Sequence, residues 1–446
     1  MNRRIRNIFV AIAGTLAGVL LVLVPFNFYG TVDTALFYYL KLFITKFNVQ
    51  ISFVIMVVMA LSAIVGLYDY LKKPDWIRNN KILNNIFSTT PFYIFNRFIG
   101  AIIGTFVYFK VGPEFIISED TGGSMFGLAT QLSVLVPCML LLQTLILECG
   151  AMEFIGKLIG FILKPFFKIS EMGAVSIISA WVGPGNAAIL GTRGLFEEGY
   201  YTVKEAAIIG SQFATSSIGW VVLISSVFGL MDKFLVLFGV ITLVGFIVAF
   251  IGVRIPPISK YPETYVNGET TSPLETDTVV EGSKLHQASE AALERSNNLT
   301  IKNFTSKANN MLFYIVWLQP IIVCWGTLAL ILSIYTPVLQ WVAIPIELIL
   351  NIGNVPFASD SAIAIISGFA DNYLPVILGK GIESEGSRFI IAAMSILQIV
   401  FMSEIAVLLT STKTLKSFKD VLIIFITRTL ISLPFVILLT KLLGLY

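Results

Sequence analysis

Ile177-Ile178-Ser179-Ala180-Trp181-Val182-Gly183-Pro184-Gly185-Asn186 is an apolar stretch that breaks off into two glycines, a proline and an asparagine. Further along, Ile365-Ile366-Ser367-Gly368-Phe369-Ala370-Asp371-Asn372 repeats the pattern, with an acid and an amide at the break. At the same offset Ile189-Leu190-Gly191 matches Ile377-Leu378-Gly379, and after a shift of two residues Gln212 matches Gln398 and Ser217 matches Ser403. Each half of the chain then reads as span, amphipathic segment, broken hairpin, span, span. Three full crossings per half insert the second half upside down, the pattern of inverted-topology repeats. The alternative is resemblance by apolar composition alone, and the ordered match of element types weighs against it.

Outward from these stretches the chain is uniformly apolar. Of its 446 residues 56% are hydrophobic and 13% charged, about half the charged fraction of an ordinary soluble domain. Mean hydropathy is +0.85. Runs of about 20 apolar residues fall at 8–28, 49–71, 92–111, 127–147, 206–228, 234–252, 311–334, 389–409 and 421–443. The stretches 174–191 and 355–379 are too interrupted by Gly, Pro and polar residues to be ordinary spans. The expected fold is an all-α polytopic membrane protein with about nine transmembrane helices plus two re-entrant helical hairpins in inverted-topology repeats.

Charge sets the orientation. Arg3, Arg4 and Arg6 precede the first span, and Lys72, Lys73, Arg78 and Lys81 follow the second, whereas the loop after the third carries Glu114, Glu119 and Asp120 without Lys or Arg. Positive charge is retained on the cytoplasmic side, so the amino terminus is expected inside and, after nine crossings, the carboxyl terminus outside, in a multi-pass cell (inner) membrane protein. Four regions follow: an N-terminal three-span region over 1–126, a first repeat over 127–255, a polar cytoplasmic linker over 256–310 with a short helix near 289–296, and a second repeat over 311–446.

Several function classes drop out. A net charge of +3 from 30 basic and 27 acidic residues provides no track for a phosphate backbone, so nucleic acid is not an expected partner. Cys138, Cys149 and Cys324 lie in apolar stretches and the single histidine, His286, in the polar linker, so no metal site or catalytic triad is expected. An intramembrane hydrolase using Asp360 and Asp371 would lack both a Gly-x-Gly-Asp element and a nucleophile elbow. The chain is not expected to be an enzyme.

What remains is polar chemistry at membrane depth. Broken helices are tolerated there only where protein or a water-filled cavity satisfies the freed backbone. Gly183 and Gly185 let a ligand approach the first hairpin, and a half-helix starting near Asn186 aims its amides at an anionic or carbonyl group. In the second hairpin Asp360 opens one arm, and Asp371 and Asn372 stand at the turn. A carboxylate at the membrane centre costs about 2.5 to 3.5 kcal/mol and is kept for function; the alternative for Asp371 is a position near the outer water surface. The fifth span carries Gln212, Thr215, Ser216 and Ser217, whose hydroxyls loosen a helix, and the eighth carries Gln398, Ser403 and Glu404. Solute binding is expected at Gly183, Gly185, Asn186, Gln212, Ser216, Ser217, Asp371, Asn372, Gln398, Ser403 and Glu404, and ion coupling at Asp371, Asp360 and Thr215. Interhelical hydrogen bonding is the competing role for the serines. Arg428 reads first as a snorkelling or paired residue near a span end.

At Val182-Gly183-Pro184-Gly185-Asn186-Ala187-Ala188 and Gly191-Thr192-Arg193-Gly194 the chain resembles the nucleoside-recognition Gate-domain membrane proteins, YjiH-like branch. The resemblance implies an architecture similar to concentrative nucleoside transporters, with three leading spans and two re-entrant hairpins. Where those place a Gln-Thr-Glu cluster in the first hairpin, this chain has Gly185, Asn186 and Ala187. The expected function is a secondary transporter of a small polar solute (nucleoside-like, amino acid or small peptide), coupled to Na+ or H+ and without other cofactors. The alternative is a Gate-domain assembly or gating subunit without transport turnover. Its expected partners are the solute, the lipid bilayer, and a homo-oligomeric copy or a second Gate-domain membrane protein.

Overall fold

The computed structural model describes residues 3–22, 24–149, 151–170, 173, 176–177, 181, 185–214, 217–271, 283–297, 308, 311–402, 405–411 and 414–446. Among the described residues the regular structure is helical apart from one small hairpin of strands. Among the described residues seven helices are long and apolar enough to cross a membrane: Asn48–Lys72, Pro91–Phe109, Glu114–Leu142, Val203–Phe228, Met231–Gly252, Phe313–Leu332 and Phe418–Leu442. It is a helical membrane protein. The helices divide into two compact units, one of Ala35–Leu141 with Thr300–Val342, the other of Met1–Thr34, Leu142–Leu299 and Ala343–Tyr446.

The smaller unit is a bundle built on Asn48–Lys72, Pro91–Phe109 and Gln319–Tyr335. Small residues let backbones approach where no water drives helices together. At Gly100 a β-carbon would collide with the carbonyl oxygen of Pro320, and at Gly104 it would lie 3.1 Å from Met59 Cε. The Gly-x-x-x-Gly spacing therefore serves packing inside the bundle. Around it Ile55, Met59, Ala63, Ala101, Ile103, Phe126 and Val323 form a closed core.

The larger unit opens with a helix over Arg3–Val22, followed by the strands Pro25–Phe28 and Thr31–Thr34, paired from Pro25 with Thr34 to Phe28 with Thr31. This corrects the expected first span, which ran to Phe28. Tyr29 (φ 52°) and Gly30 (φ 90°) form a two-residue left-handed turn that fits the strand twist, and Gly30 N–H donates to Asn27 Oδ1 at 2.9 Å. The polar linker is also more structured than a tether. Its helix covers Lys284–Asn297 and packs on Ala151–Phe167 and Arg3–Val22.

The two halves repeat the same order of elements. An amphipathic helix with an internal proline, Ala151–Phe167 with Pro165 or Val338–Ile352 with Pro345, precedes each interrupted region. A broken helix follows, then an uninterrupted one, Phe234–Gly252 or Phe418–Leu442. The aromatic residues aligned in the repeat each pack on a phenylalanine of the following uninterrupted helix, at unmatched positions: Trp181 stacks on Phe246 (5.6 Å, 12°), and Phe369 tilts against Phe425 (4.8 Å, 56°).

Candidate functional site

The first broken helix begins at Val203, under a capping box in which Thr202 accepts from Glu205 N and the Glu205 carboxylate accepts from Thr202 N. It widens to a π turn over Ile209–Phe213, leaves helical geometry at Ala214 (ψ 60°) and restarts at Ile218, where the Ser217 side chain accepts from Trp220 N at 3.3 Å. Of its apolar window 94% is buried, the largest share among the seven helices. The interruption is thus enclosed by protein, as freed backbone at membrane depth requires.

The second broken helix runs Glu385–Leu397, unwinds, and resumes over Ile405–Ser411. Ile399 holds φ 56°, a left-handed conformation that a β-branched residue adopts at a cost of about 1 to 3 kcal/mol. The extended residues turn to a neighbour: Met402 N–H donates to Phe369 O at 2.8 Å, in the turn after Ala358–Ser367. The eighth expected span, 389–409, is therefore two helical pieces. Its start lies beside the end of the first broken helix, since Arg388 Nη1 donates to Phe228 O at 3.0 Å. The two breaks meet mid-length, so the broken helices run antiparallel.

Arg428 joins them. It lies in the middle of Phe418–Leu442 and is 2% exposed, which corrects its expected place near a span end and, of the two roles read for it, snorkelling or pairing, removes snorkelling. Nε donates to Leu397 O at 3.0 Å, and Nη1 donates to Gln212 Oε1 at 2.7 Å and reaches Gln212 O at 3.4 Å. Both carbonyls stand where helical bonding stops and helix ends carry partial negative charge, so a cation belongs there. Among the described residues Arg428 makes no ion pair with Asp or Glu. Gly252 admits Gln212, because a β-carbon there would lie 2.6 Å from Gln212 Oε1.

Gln398 is the partner of Gln212 across the repeat, and it also points into the break. Its Nε2 donates to Ile365 O at 2.9 Å and to Thr429 Oγ1 at 3.2 Å, beside Arg428. Asp371 is buried, and its Oδ1 accepts from Tyr373 N at 2.8 Å, turning the chain into the short helix Leu374–Gly379. Asn372 is buried next to it, and the Tyr373 ring meets the edge of Trp220 at 5.7 Å, three residues beyond Ser217. The structure thus brings Gln212, Ser217, Asp371, Asn372 and Gln398 around the two breaks. Asp360 sits apart: it is exposed in the first turn of Ala358–Ser367, about 10 Å of helix rise from the end that leads to Asp371. Gly185 and Asn186 begin the helix Gly185–Glu197. Gly183, Thr215, Ser216, Ser403 and Glu404 lie outside the described residues.

At the edge of the larger unit the linker clamps both broken halves. Glu263 accepts from Lys204 Nζ at 2.7 Å, which holds its carboxyl below the usual value. Tyr261 OH donates to Asp420 Oδ2 at 2.9 Å and accepts from Lys416 N at 2.8 Å; burial raises its phenol above the usual value.

The fold and the site define a class: a polytopic helical membrane protein with two antiparallel interrupted helices crossing at a buried arginine. No family model matches the chain. It is 35% identical over 390 residues to the uncharacterized protein BpOF4_10220 of Alkalihalophilus pseudofirmus, a similarity that covers 85% of this chain and 82% of that protein, and it belongs to the same family.

Proposed function

We propose that the chain is a secondary transporter of a small polar solute, which it binds where the two helix breaks meet. The observation that carries this reading is the pair of mid-length interruptions, both buried in protein and joined through Arg428. Backbone freed at membrane depth is kept where it lines a path or a binding site, and discontinuous helices at a repeat interface are how many transporters build one. The antiparallel course of the broken helices supports an inverted repeat. On this reading Ala358–Ser367 and Leu374–Gly379 form a re-entrant hairpin, Asp371 near its tip takes part in sodium or proton coupling, and the amino terminus faces the cytoplasm with the carboxyl terminus outside. Kinship with the Gate-domain membrane proteins belongs to the same proposal.

The test is thermal stability of the purified protein against nucleosides, amino acids, dipeptides and organic acids, varying sodium, potassium and pH separately. A bound solute stabilises by about 2.7 kcal/mol at a hundred times its Kd. The expected result is a saturable shift for one solute class, matched by uptake into proteoliposomes. A folded sample that neither shifts nor transports with any solute overturns the reading in favour of an assembly or gating subunit.

A further inference from the structure

Two polar atoms on one face of Phe418–Leu442 are sealed from solvent and make no hydrogen bond: Arg428 Nη2 and Ser432 Oγ. Their residues are 2% and 0% exposed. Four residues apart on a helix, the two residues share one face, with their β-carbons about 5 to 6 Å from each other. Ser432 differs from its neighbours. Thr427 Oγ1 donates to Ile423 O (2.8 Å) and Thr440 Oγ1 to Val436 O (2.7 Å), the ordinary outlet for a hydroxyl on a helix, whereas the Ser432 hydroxyl does not use it. The guanidinium has spent Nε on the Leu397 carbonyl and Nη1 chiefly on the Gln212 side-chain amide oxygen, and it has no acidic partner among the described residues. A buried donor left unmade costs about 1 to 3 kcal/mol, more on a charged group. An unmade donor on a guanidinium that has no acidic partner among the described residues, with an unmade hydroxyl on the same helix face, fits a planar anion with two acceptor oxygens.

We infer that the solute is a small organic carboxylate, one oxygen taken by Arg428 Nη2 and the other by Ser432 Oγ. The inference rests on the transporter reading and names its substrate class.

The experiment titrates the full-length purified protein with the N-methylglucamine salts of acetate, lactate and succinate, with uridine and glycerol as neutral solutes and chloride as the anion control, reading the melting midpoint and calorimetric Kd. The expected result is saturable binding of a carboxylate, with neither the neutral solutes nor chloride competing. Ser432→Ala then weakens binding about tenfold and Arg428→Gln about a hundredfold, with Arg428→Lys between them. If Arg428→Gln does not fold, Ser432→Ala and the selectivity of the unaltered protein decide. Saturable uridine binding that survives Ser432→Ala keeps the transporter and removes the carboxylate. Chloride binding as well as any carboxylate also overturns the inference, as does carboxylate binding untouched by both substitutions. Absence of binding and uptake for every solute removes both readings.

Discussion

Arg428 and Arg97 are the two largest side chains buried to 2% exposure or less, one in each unit, and they are accommodated in different ways. Arg97 lies within Pro91–Phe109, a helix without interruption, and its Nη2 donates to Ile86 O at 2.6 Å. The face of its guanidinium lies 5.4 Å from the Trp317 ring, and Gly66 makes room for Nη1, which a β-carbon there would approach to 3.2 Å. Aromatic packing and one carbonyl hold it. Arg428 instead binds the open ends of two helices that have given up their own bonding. The same residue type is an anchor within an intact bundle and a joint between broken elements, and the backbone around it makes the difference.

The sharpest way to break this comparison is Arg428→Met. It removes the bonds by which Arg428 joins the two interruptions, and the expected loss is about 2 to 6 kcal/mol of stability, the sum for two buried acceptors, Leu397 O and Gln212 Oε1, left unpaired. Thermal or denaturant unfolding in detergent measures it; a loss under about 1 kcal/mol would mean the breaks hold without the joint. Gln212→Leu follows, at about 1.5 to 3 kcal/mol, because it deletes the 2.7 Å charge-assisted bond but leaves Leu397 in place. Additivity between these two should fail, since they share one partner.

On the other side of the comparison, Gly100→Ala should cost about 1 to 3 kcal/mol by pushing Pro91–Phe109 off the Pro320 carbonyl. It should leave solute affinity unchanged. Arg97→Met should change stability by less than about 1.5 kcal/mol, because an unbranched apolar side chain can take over its packing against Trp317. Loss of solute binding in Arg97→Met would erase the distinction between the two arginines.

The smallest effect concerns the linker clamp. Glu263 has its carboxyl value lowered by Lys204, so its contribution is present above the unfolded carboxylate value and is lost as pH falls through the lowered folded value. It is an exposed carboxylate, so the whole contribution is at most about 1 kcal/mol. Comparing Glu263→Gln with the unaltered protein, the stability difference should close on acidification below the carboxylate range and open toward neutral pH.

Hydropathy made the long helices legible, because about 20 apolar residues have few other uses. The break at Gln212 to Ser217 was legible in part, as a run of hydroxyls that loosens a helix, whereas the one after Leu397 was not, because 389–409 reads as a single apolar span. Arg428 was not. Its expected span began at Val421, seven residues before it, whereas the helix begins at Phe418 and the side chain turns inward. A lone arginine well inside such a run was the available signal, since a side chain that deep has a long way to reach water. Ser432 carried less, being one of many serines, and its unmade hydrogen bond on the same helix face as Arg428 shows only in the structure. Asp360 and Asp371 look equivalent in sequence, and only the direction of the helix between them separates a surface carboxylate from a buried one. The strands after Val22 escaped because Pro25-Phe26-Asn27-Phe28 continues an apolar run and only the Tyr29-Gly30 turn marks a change of structure.

The close approach of Gly100 to Pro320 also constrains the order of biosynthesis. The smaller unit takes its members from Ala35–Leu141 and Thr300–Val342. Its early helices must therefore wait in the bilayer, with Arg97 lacking the Trp317 ring, while the ribosome makes the intervening segment. Domains usually close in the order they emerge. Here the nascent chain holds an unfinished bundle while about half of its 446 residues are still being made.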